Sequence, residues 1–235
     1  ILCDIKSNIL FKYLISIFLI SFISLLLIAQ PDIGQTLLVI FCWAVLIFTS
    51  GINIYILLAI FIAGASLLTY LIIYVPRFDY IQGRIFSFFN RETGTHNFQS
   101  DKAIESITSG GFFGKGIGEG VLKNRVPEAH TDYIISVISE EFGVVAIMLI
   151  LLLFLILIYM VFKKISFETN DKAKLILIGS ISLILMQATI HIGVNIRLFP
   201  TTGMTLPFLS YGGSSIISTS ILAGIILNLT KRKIT

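Results

Sequence analysis

The chain has 235 residues, of which 56% are hydrophobic and only 13% charged, and its mean hydropathy is +0.95. Soluble domains carry roughly twice that share of charge, and the apolar residues here fall in long runs, so lipid is the expected solvent and a cytosolic globular fold is excluded. The net charge of +4 is spread along the chain, which excludes a nucleic-acid stripe, and Cys3 and Cys42 have neither disulfide-framework nor zinc-site spacing.

In chain order, six apolar runs have the length of membrane helices: 10–29, 34–50, 54–75, 133–162, 174–196 and 206–229. The first follows Ile1-Leu2-Cys3, with no initiator methionine and no small-residue cleavage site behind it. It reads as a membrane helix and not a signal peptide, and the chain reads as a piece of a longer protein. It closes on Gln30-Pro31-Asp32-Ile33-Gly34, where Asp32 is placed to cap the second helix. Between the third and fourth runs lies one large polar loop, 76–132, with seven Lys/Arg and seven Asp/Glu. Irregular backbone presented by rigid helices is the expected seat of chemistry. The short segments on one side carry Lys6, Lys12, Lys163, Lys164, Lys172, Lys174, Lys231, Arg232 and Lys233, against Arg197 alone on the other. That asymmetry puts the large loop on the outer face and the C-terminus in the cytoplasm.

The glycine-rich stretch 110–120 is not a phosphate loop, because Gly116 follows Lys115 where Ser or Thr is required and no strand precedes it. Its glycines suit tight turns and close backbone approach. Val126-Pro127-Glu128-Ala129-His130-Thr131-Asp132-Tyr133 runs into the fourth span. Thr131 or Asp132 can cap that helix, and Asp132 can equally face a substrate at the membrane surface. Asp132, Ser136 and Glu140 are spaced by four and share a helical face, which places Glu140 about 12 Å deeper and makes Glu140 and Glu141 intramembrane acids, structural or functional. Gln187, His191 and Asn195 repeat the spacing in the fifth span, either as interhelical hydrogen-bonding groups or as the lining of a groove that ends at Arg197. His191, His96 and His130 lack partners at metal-site spacing. Small residues in Pro200–Ser215 permit close helix contact.

Together, Gln-Pro-Asp-x-Gly (30–34), the glycine-rich turn (110–120), Pro-Glu-Ala-His-Thr-Asp (127–132), Glu-Glu-Phe-Gly (140–143) and Leu-Pro-Phe-Leu-Ser-Tyr-Gly-Gly-Ser-Ser (206–215) resemble the signature of the SEDS family of peptidoglycan polymerases, FtsW, RodA and SpoVE. The segments lie in family order over essentially the whole chain. Gly203–Phe208, Lys102–Ser106 and Gly118-Glu119-Gly120 look more like the division branch (FtsW) than the elongation branch (RodA). The resemblance implies an all-α polytopic bundle of ten helices, of which this chain would hold the last six and be inactive alone. It implies polymerisation of lipid II, with Asp132 at the position of the family's essential aspartate. It also implies a class B penicillin-binding protein, the FtsI-type transpeptidase, and other divisome proteins as partners in the bacterial inner membrane at the division site. Arg91 stands where the family usually has Asn-Pro, and Thr202 and Asn124 stand where some members carry Lys and an acid.

Such a polymerase needs a base for the attacking hydroxyl, which is the role expected of Asp132. It also needs groups to hold the lipid-linked sugar and its pyrophosphate. The candidates are Glu128, His130, Lys115, Lys123, Arg125, Arg197, Ser210, Gly212, Gly213 and Ser214, with a divalent cation, Mg or Mn, as the alternative to the basic side chains. A lipid II flippase lined by Glu140, His191 and Asn195, and a non-catalytic scaffold, are the rival readings.

Overall fold

The computed structural model describes residues 9–89 and 95–231, excepting the side chains of residues 9, 10, 77, 95–97, 123 and 124. The elements are α1 (Ile9–Ala29), α2 (Ile33–Thr49), α3 (Ile54–Tyr74), α4 (Asp79–Phe89), α5 (Thr95–Gly110), α6 (Ile134–Phe167), α7 (Asp171–Asn195) and α8 (Gly213–Thr230). No strand occurs among the described residues. The six expected spans match α1, α2, α3, α6, α7 and α8. Five of these are long and apolar enough to cross a membrane. The sixth, α2, has 17 residues, at the lower bound for spanning. As expected, Asp32 caps α2, its Oδ1 accepting the N–H of Gln35 at 2.9 Å.

The stretch 76–132 is more ordered than a loop. It contains α4, α5 and short 3-10 turns at Pro76–Phe78 and Leu122–Arg125. The last span is shorter than expected, because Leu206–Gly212 is not helical and α8 starts at Gly213. Pro207 has no N–H to give a helix, and the Leu206 N–H donates instead to Ser210 Oγ at 2.8 Å.

Helix α7 is central, with more than half of its apolar window buried, whereas α1, α3 and the apolar part of α6 are almost entirely exposed. That inversion of a soluble core is what a lipid solvent permits. Where α6, α7 and α8 meet, Val161, Leu177, Ile181, Ile184 and Ile226 form one buried cluster. A second cluster (Leu38, Ala103, Val126, Ala129, Tyr133, Val137, Ile190, Val194 and Met204) joins α2, α5, α6 and α7 to the polar segments at the other end.

Helix α6 has 34 residues, about 50 Å at 1.5 Å per residue, well beyond the ~30 Å of a hydrocarbon core. Its charge-free run extends from Phe142 to Phe162, with Lys163 and Lys164 at one end and Glu140 and Glu141 at the other. Gly143, at φ 78° and ψ −175°, breaks the helix at that boundary. Glu140 and Glu141 therefore sit at the edge of the charge-free run, where the helix is kinked. The segment 134–142 ahead of the kink packs on α5.

The glycine-rich turn completes the kink. Val144 and Val145 N–H donate to the carbonyls of Gly111 and Phe112 at 3.0 and 3.2 Å, and Lys115 and Gly116 N–H donate to those of Glu140 and Glu141 at 2.9 and 3.0 Å. A Cβ on Gly143 would lie 2.2 Å from the Phe112 oxygen, and one on Gly114 would lie 2.1 Å from the Glu141 oxygen. Close backbone approach is thus what these glycines allow. Gly111 and Gly114 both have positive φ, but a Cβ at Gly111 meets nothing. Gly111→Ala is expected to cost only the conformational strain, about 1–3 kcal/mol, and Gly114→Ala a further ~1–3 kcal/mol of overpacking. Thermal unfolding in micelles should show the larger loss for Gly114→Ala; equal losses would disprove the backbone dock.

Candidate active site

The candidate base lies in a tight turn ahead of α6. The Glu128 carbonyl accepts the N–H groups of Thr131, Asp132 and Tyr133 at 3.2, 3.0 and 3.3 Å. Glu128 is held at φ 54°, a left-handed conformation that a side chain adopts at a cost. Tyr133 is the N-cap residue of α6 and makes no side-chain cap bond, while its ring is buried in the second cluster. Neither Thr131 nor Asp132 caps the helix, contrary to one sequence reading. The Thr131 hydroxyl turns back to Glu128 Oε2 at 3.0 Å. Asp132 is half-buried. Burial pushes its carboxyl above the ordinary 3.8, the negative charge of Glu128 pushes the same way, and a hydrogen bond from Thr131 pulls partly back.

Two further segments fix this turn from below and beside. On α7, Asn195 Nδ2 donates to the Asp132 carbonyl at 3.0 Å and to the His191 carbonyl at 2.9 Å. His191 Nδ1 lies 2.7 Å from the Met204 carbonyl, which puts the ring proton on that nitrogen. Gln187 Nε2 donates to Thr205 O, Thr205 Oγ1 and Ser215 Oγ at 3.0, 3.1 and 3.1 Å. The four-spaced residues of α7 are thus buried glue between a helix and two loops, and not the lining of a groove. In the 202–211 segment, Ser210 Oγ donates to the Thr131 carbonyl at 2.7 Å and Tyr211 N–H to that of His130 at 2.9 Å. A Cβ on Gly203 would lie 3.5 Å from Asp132 Oδ2, so the bare face of this glycine forms a wall of the carboxylate's site.

The other candidates divide in two. Glu128, His130 and Ser210 are brought to the Asp132 turn, and Gly212, Gly213 and Ser214 follow directly as the uncapped start of α8. Lys115 is not: its Nζ lies 3.3 Å from Glu140 Oε1. Glu140 is fully buried and also accepts from Ser106 Oγ at 3.1 Å and from the Val121 and Leu122 N–H groups, both at 3.0 Å. This is a structural node two helical turns below Asp132. Arg125 is exposed at the end of its 3-10 turn, and the side chain of Lys123 lies outside the described residues. Arg197 pairs with Asp101. It occupies the residue after the C-cap of α7 at φ 58°, with Leu198 N–H on the Gly193 carbonyl at 2.7 Å and Arg197 N–H on that of Val194 at 3.0 Å. This is a Schellman turn, in which glycine is the usual occupant. Arg84 was missed by sequence reasoning. It comes from α4, donates to the Thr201 carbonyl at 3.2 Å, and shares a small recess with Arg197, Ser87, Ser100 and Thr201. No sequence signal marks it beyond a lone arginine on a short mixed helix.

The family model for cell cycle proteins of the FtsW/RodA/SpoVE type matches residues 3–234. The chain belongs to this family. Among curated relatives, it is 36% identical over 223 residues to the probable peptidoglycan glycosyltransferase FtsW of Caulobacter vibrioides, covering 92% of this chain and 55% of that one. To the protein of the same name from Francisella salina it is 38% identical over 221 residues, covering 90% and 53%. Among solved structures, it resembles a chain of a peptidoglycan synthase complex studied for coordination of polymerization and crosslinking, with TM-score 0.73 at 29% identity over 93% of this chain and 60% of that one. It also resembles the rod shape determining protein RodA of Thermus thermophilus, with TM-score 0.62 at 28% identity over 97% and 59%. The chain spans about half the length of the curated relatives it matches.

As an FtsW/RodA/SpoVE protein the chain is a multi-pass membrane protein, and Asp132 is held at the polar end of its bundle. Because folding raises the Asp132 pKa, the charged carboxylate costs stability at neutral pH. The cost fades as the pH falls through the folded pKa toward the ordinary 3.8. Asp132→Asn is therefore expected to raise the melting temperature at pH 7, with the gap to the parent closing on acidification; a lower melting temperature at pH 7 would contradict the site geometry. Glu140→Ala should do the reverse, destabilising by about 3–5 kcal/mol and accelerating hydrogen exchange at the Val121 and Leu122 amides. Unchanged exchange there would remove Glu140 as the anchor of the turn.

Proposed function

We propose that the protein containing this chain polymerises glycan strands from lipid II at the outer face of the bacterial inner membrane, with Asp132 as general base. The observation that carries this reading is the position and state of that carboxylate. It precedes α6 by two residues, about 15 Å along the helix from the start of the apolar run. A sugar held by pyrophosphate on a membrane lipid projects to that height. Its raised pKa makes it a stronger base than an ordinary aspartate, and the hydrogen-bonded turn fixes it before substrate arrives.

In the proposed step, the 4-hydroxyl oxygen of the incoming lipid II attacks the anomeric carbon of the growing glycan. The bond from that carbon to the undecaprenyl pyrophosphate oxygen breaks, and the configuration inverts from α to β. Asp132 takes the hydroxyl proton, and the departing pyrophosphate keeps the electron pair. Arg197 and Arg84 line one recess and are the basic groups best placed for that charge. The uncapped positive end of α8 at Gly212–Ser214 supports them. A divalent cation is the alternative for the same task. Asp132 and Glu128 offer it two carboxylates, and among the described residues no group of three acidic, histidine or cysteine ligands occurs, so Mg or Mn would draw its remaining ligands from phosphate oxygens and water.

The division branch of the family, an FtsI-type transpeptidase as partner, and the outward orientation of residues 76–132 complete the proposal. The basic clusters at Lys163, Lys164, Lys172 and Lys174 support that orientation. Transport is less well supported, because Gln187, His191 and Asn195, the groups that would line its path, lie in the last third of α7 and are spent on hydrogen bonds within the protein.

Purified full-length protein with its transpeptidase is expected to make polymer from lipid II, and Asp132→Ala to reduce synthesis by ~10²–10⁴-fold, the usual contribution of a positioned base. Wild-type rates in that variant would end the proposal. Arg197→Gly separates fold from function. It relieves ~1–2 kcal/mol of left-handed strain and loses a surface ion pair of ~0–1 kcal/mol, so melting should be unchanged or higher while polymer synthesis falls. Equal synthesis would strike Arg197 from the substrate contacts.

A further inference from the structure

We infer that the tip of the glycine-rich turn, Phe112 and Phe113 with Ile117, is a membrane anchor that inserts into the lipid leaflet opposite Lys163 and Lys164. These side chains are 76%, 84% and 78% exposed, an unusual cost for three large apolar groups in a polar segment facing water. Their position gives the reason. The turn is hydrogen-bonded to α6 at Gly143–Val145, where the charge-free run begins. The tip therefore lies level with the end of the hydrocarbon slab, beside Phe142, Val144, Val145, Met148 and Leu149, which are exposed on α6 itself. The apolar tip continues a lipid-facing belt.

The polar groups of the turn are disposed as lipid requires. The carbonyls of Gly110, Gly111 and Phe112 accept from Gly114, Val144 and Val145, so these three acceptors have their partners inside the protein. The nearby charges have partners within the protein: Lys115, though exposed, pairs with Glu140, and Glu141 Oε1 accepts the Gly118 N–H at 3.2 Å. Glu119 is exposed on the return arm, on the side away from the two phenylalanines in sequence. Insertion by roughly 5–10 Å, typical of interfacial aromatic groups, seats both rings below the headgroups. Since the same turn docks on α6, the helix that follows the Asp132 turn, the anchor sets the height of that end above the bilayer.

The test needs no enzymatic readout, so it stands or falls apart from the polymerase reading. Trp43 is the single tryptophan, so Phe113→Trp in a Trp43→Phe background reports on the tip alone. The protein is placed in nanodiscs of phosphatidylcholine and phosphatidylglycerol, with or without bromine on the acyl chains. Leu153→Trp, from the exposed middle of α6, is the lipid reference. The tip tryptophan is expected to emit in the blue, to lose most of its intensity to brominated chains, and to resist iodide. Quenching by iodide with no effect of bromine overturns the anchor, and so does shielding from both, which means that the tip packs on another copy or a partner protein. If the tryptophan variants fail to fold, a spin label on Phe113→Cys in a Cys3→Ser, Cys42→Ala chain decides the matter. Greater collision with oxygen than with a nickel chelate supports insertion, and the reverse refutes it.

Discussion

Three buried polar side chains on one face of α7 hold the polar end of the protein together. Asn195 fixes the Asp132 carbonyl, His191 the Met204 carbonyl, and Gln187 the Thr205–Ser215 pair. Each takes hold of a main-chain or hydroxyl group in a segment that has no regular structure of its own. In an apolar bundle such bonds are hard to exchange for water, so the loops are locked in position relative to one helix. The Asp132 turn and the 202–211 segment are then tied to each other through Ser210 and Tyr211. Without α7 neither wall of the site has a fixed place.

Height is set elsewhere, by α6. A helix much longer than the membrane is thick must put its surplus outside, and Gly143 marks where the surplus begins. The dock of the glycine-rich turn gives the interrupted backbone its missing partners, and Glu140 secures the return arm with two amides, a hydroxyl and a lysine. The two devices are complementary. Helix α7 fixes the lateral arrangement of the loops, and the kinked α6 fixes how far from the lipid they stand.

Much of this was legible in the sequence, but unevenly. Apolar runs locate helices because lipid demands some twenty apolar residues whatever the neighbours, so α1, α2, α3 and α7 lie within a few residues of expectation. The motif residues Asp132, Glu128 and His130 come together at one turn with Ser210, far from them in sequence. The failures have physical causes. Hydropathy cannot see Leu206–Gly212 as a turn, because Leu, Phe and Tyr there are as apolar as a helix would be. The two-turn separation of Glu140 from Asp132 stands as the spacing implies; what spacing cannot show is the kink at Gly143, which sets Glu140 at the edge of the charge-free run. The capping role given to Thr131 or Asp132 was reasonable from local pattern, but Tyr133, pulled into the second cluster, takes the cap position instead. Lys115 was counted among phosphate contacts because charge in a flexible-looking loop looks available; only the fold reveals that Glu140 holds it. Arg84 had no motif at all, and distance in sequence hid its approach to Thr201.

The charge pattern around the candidate base shows why these details matter to chemistry. A cation beside Asp132 would lower its pKa and weaken it as a base. Among the described residues no ion pair reaches it: Lys115 is matched by Glu140, Arg197 by Asp101 and Lys102 by Glu105. The nearest charge that acts on Asp132 is instead the like charge of Glu128, which raises basicity. The Arg197 pair with Asp101 is exposed enough to exchange one anionic partner for another at little cost, unlike the buried Glu140 node. In the proposed reaction a pyrophosphate arriving on a lipid would recruit Arg197 without unfolding anything. Glu128 and Arg197 are both held where glycine would be easier: the first keeps a second carboxylate beside Asp132, and the second keeps a guanidinium paired with an exposed aspartate that the proposed anionic substrate would replace.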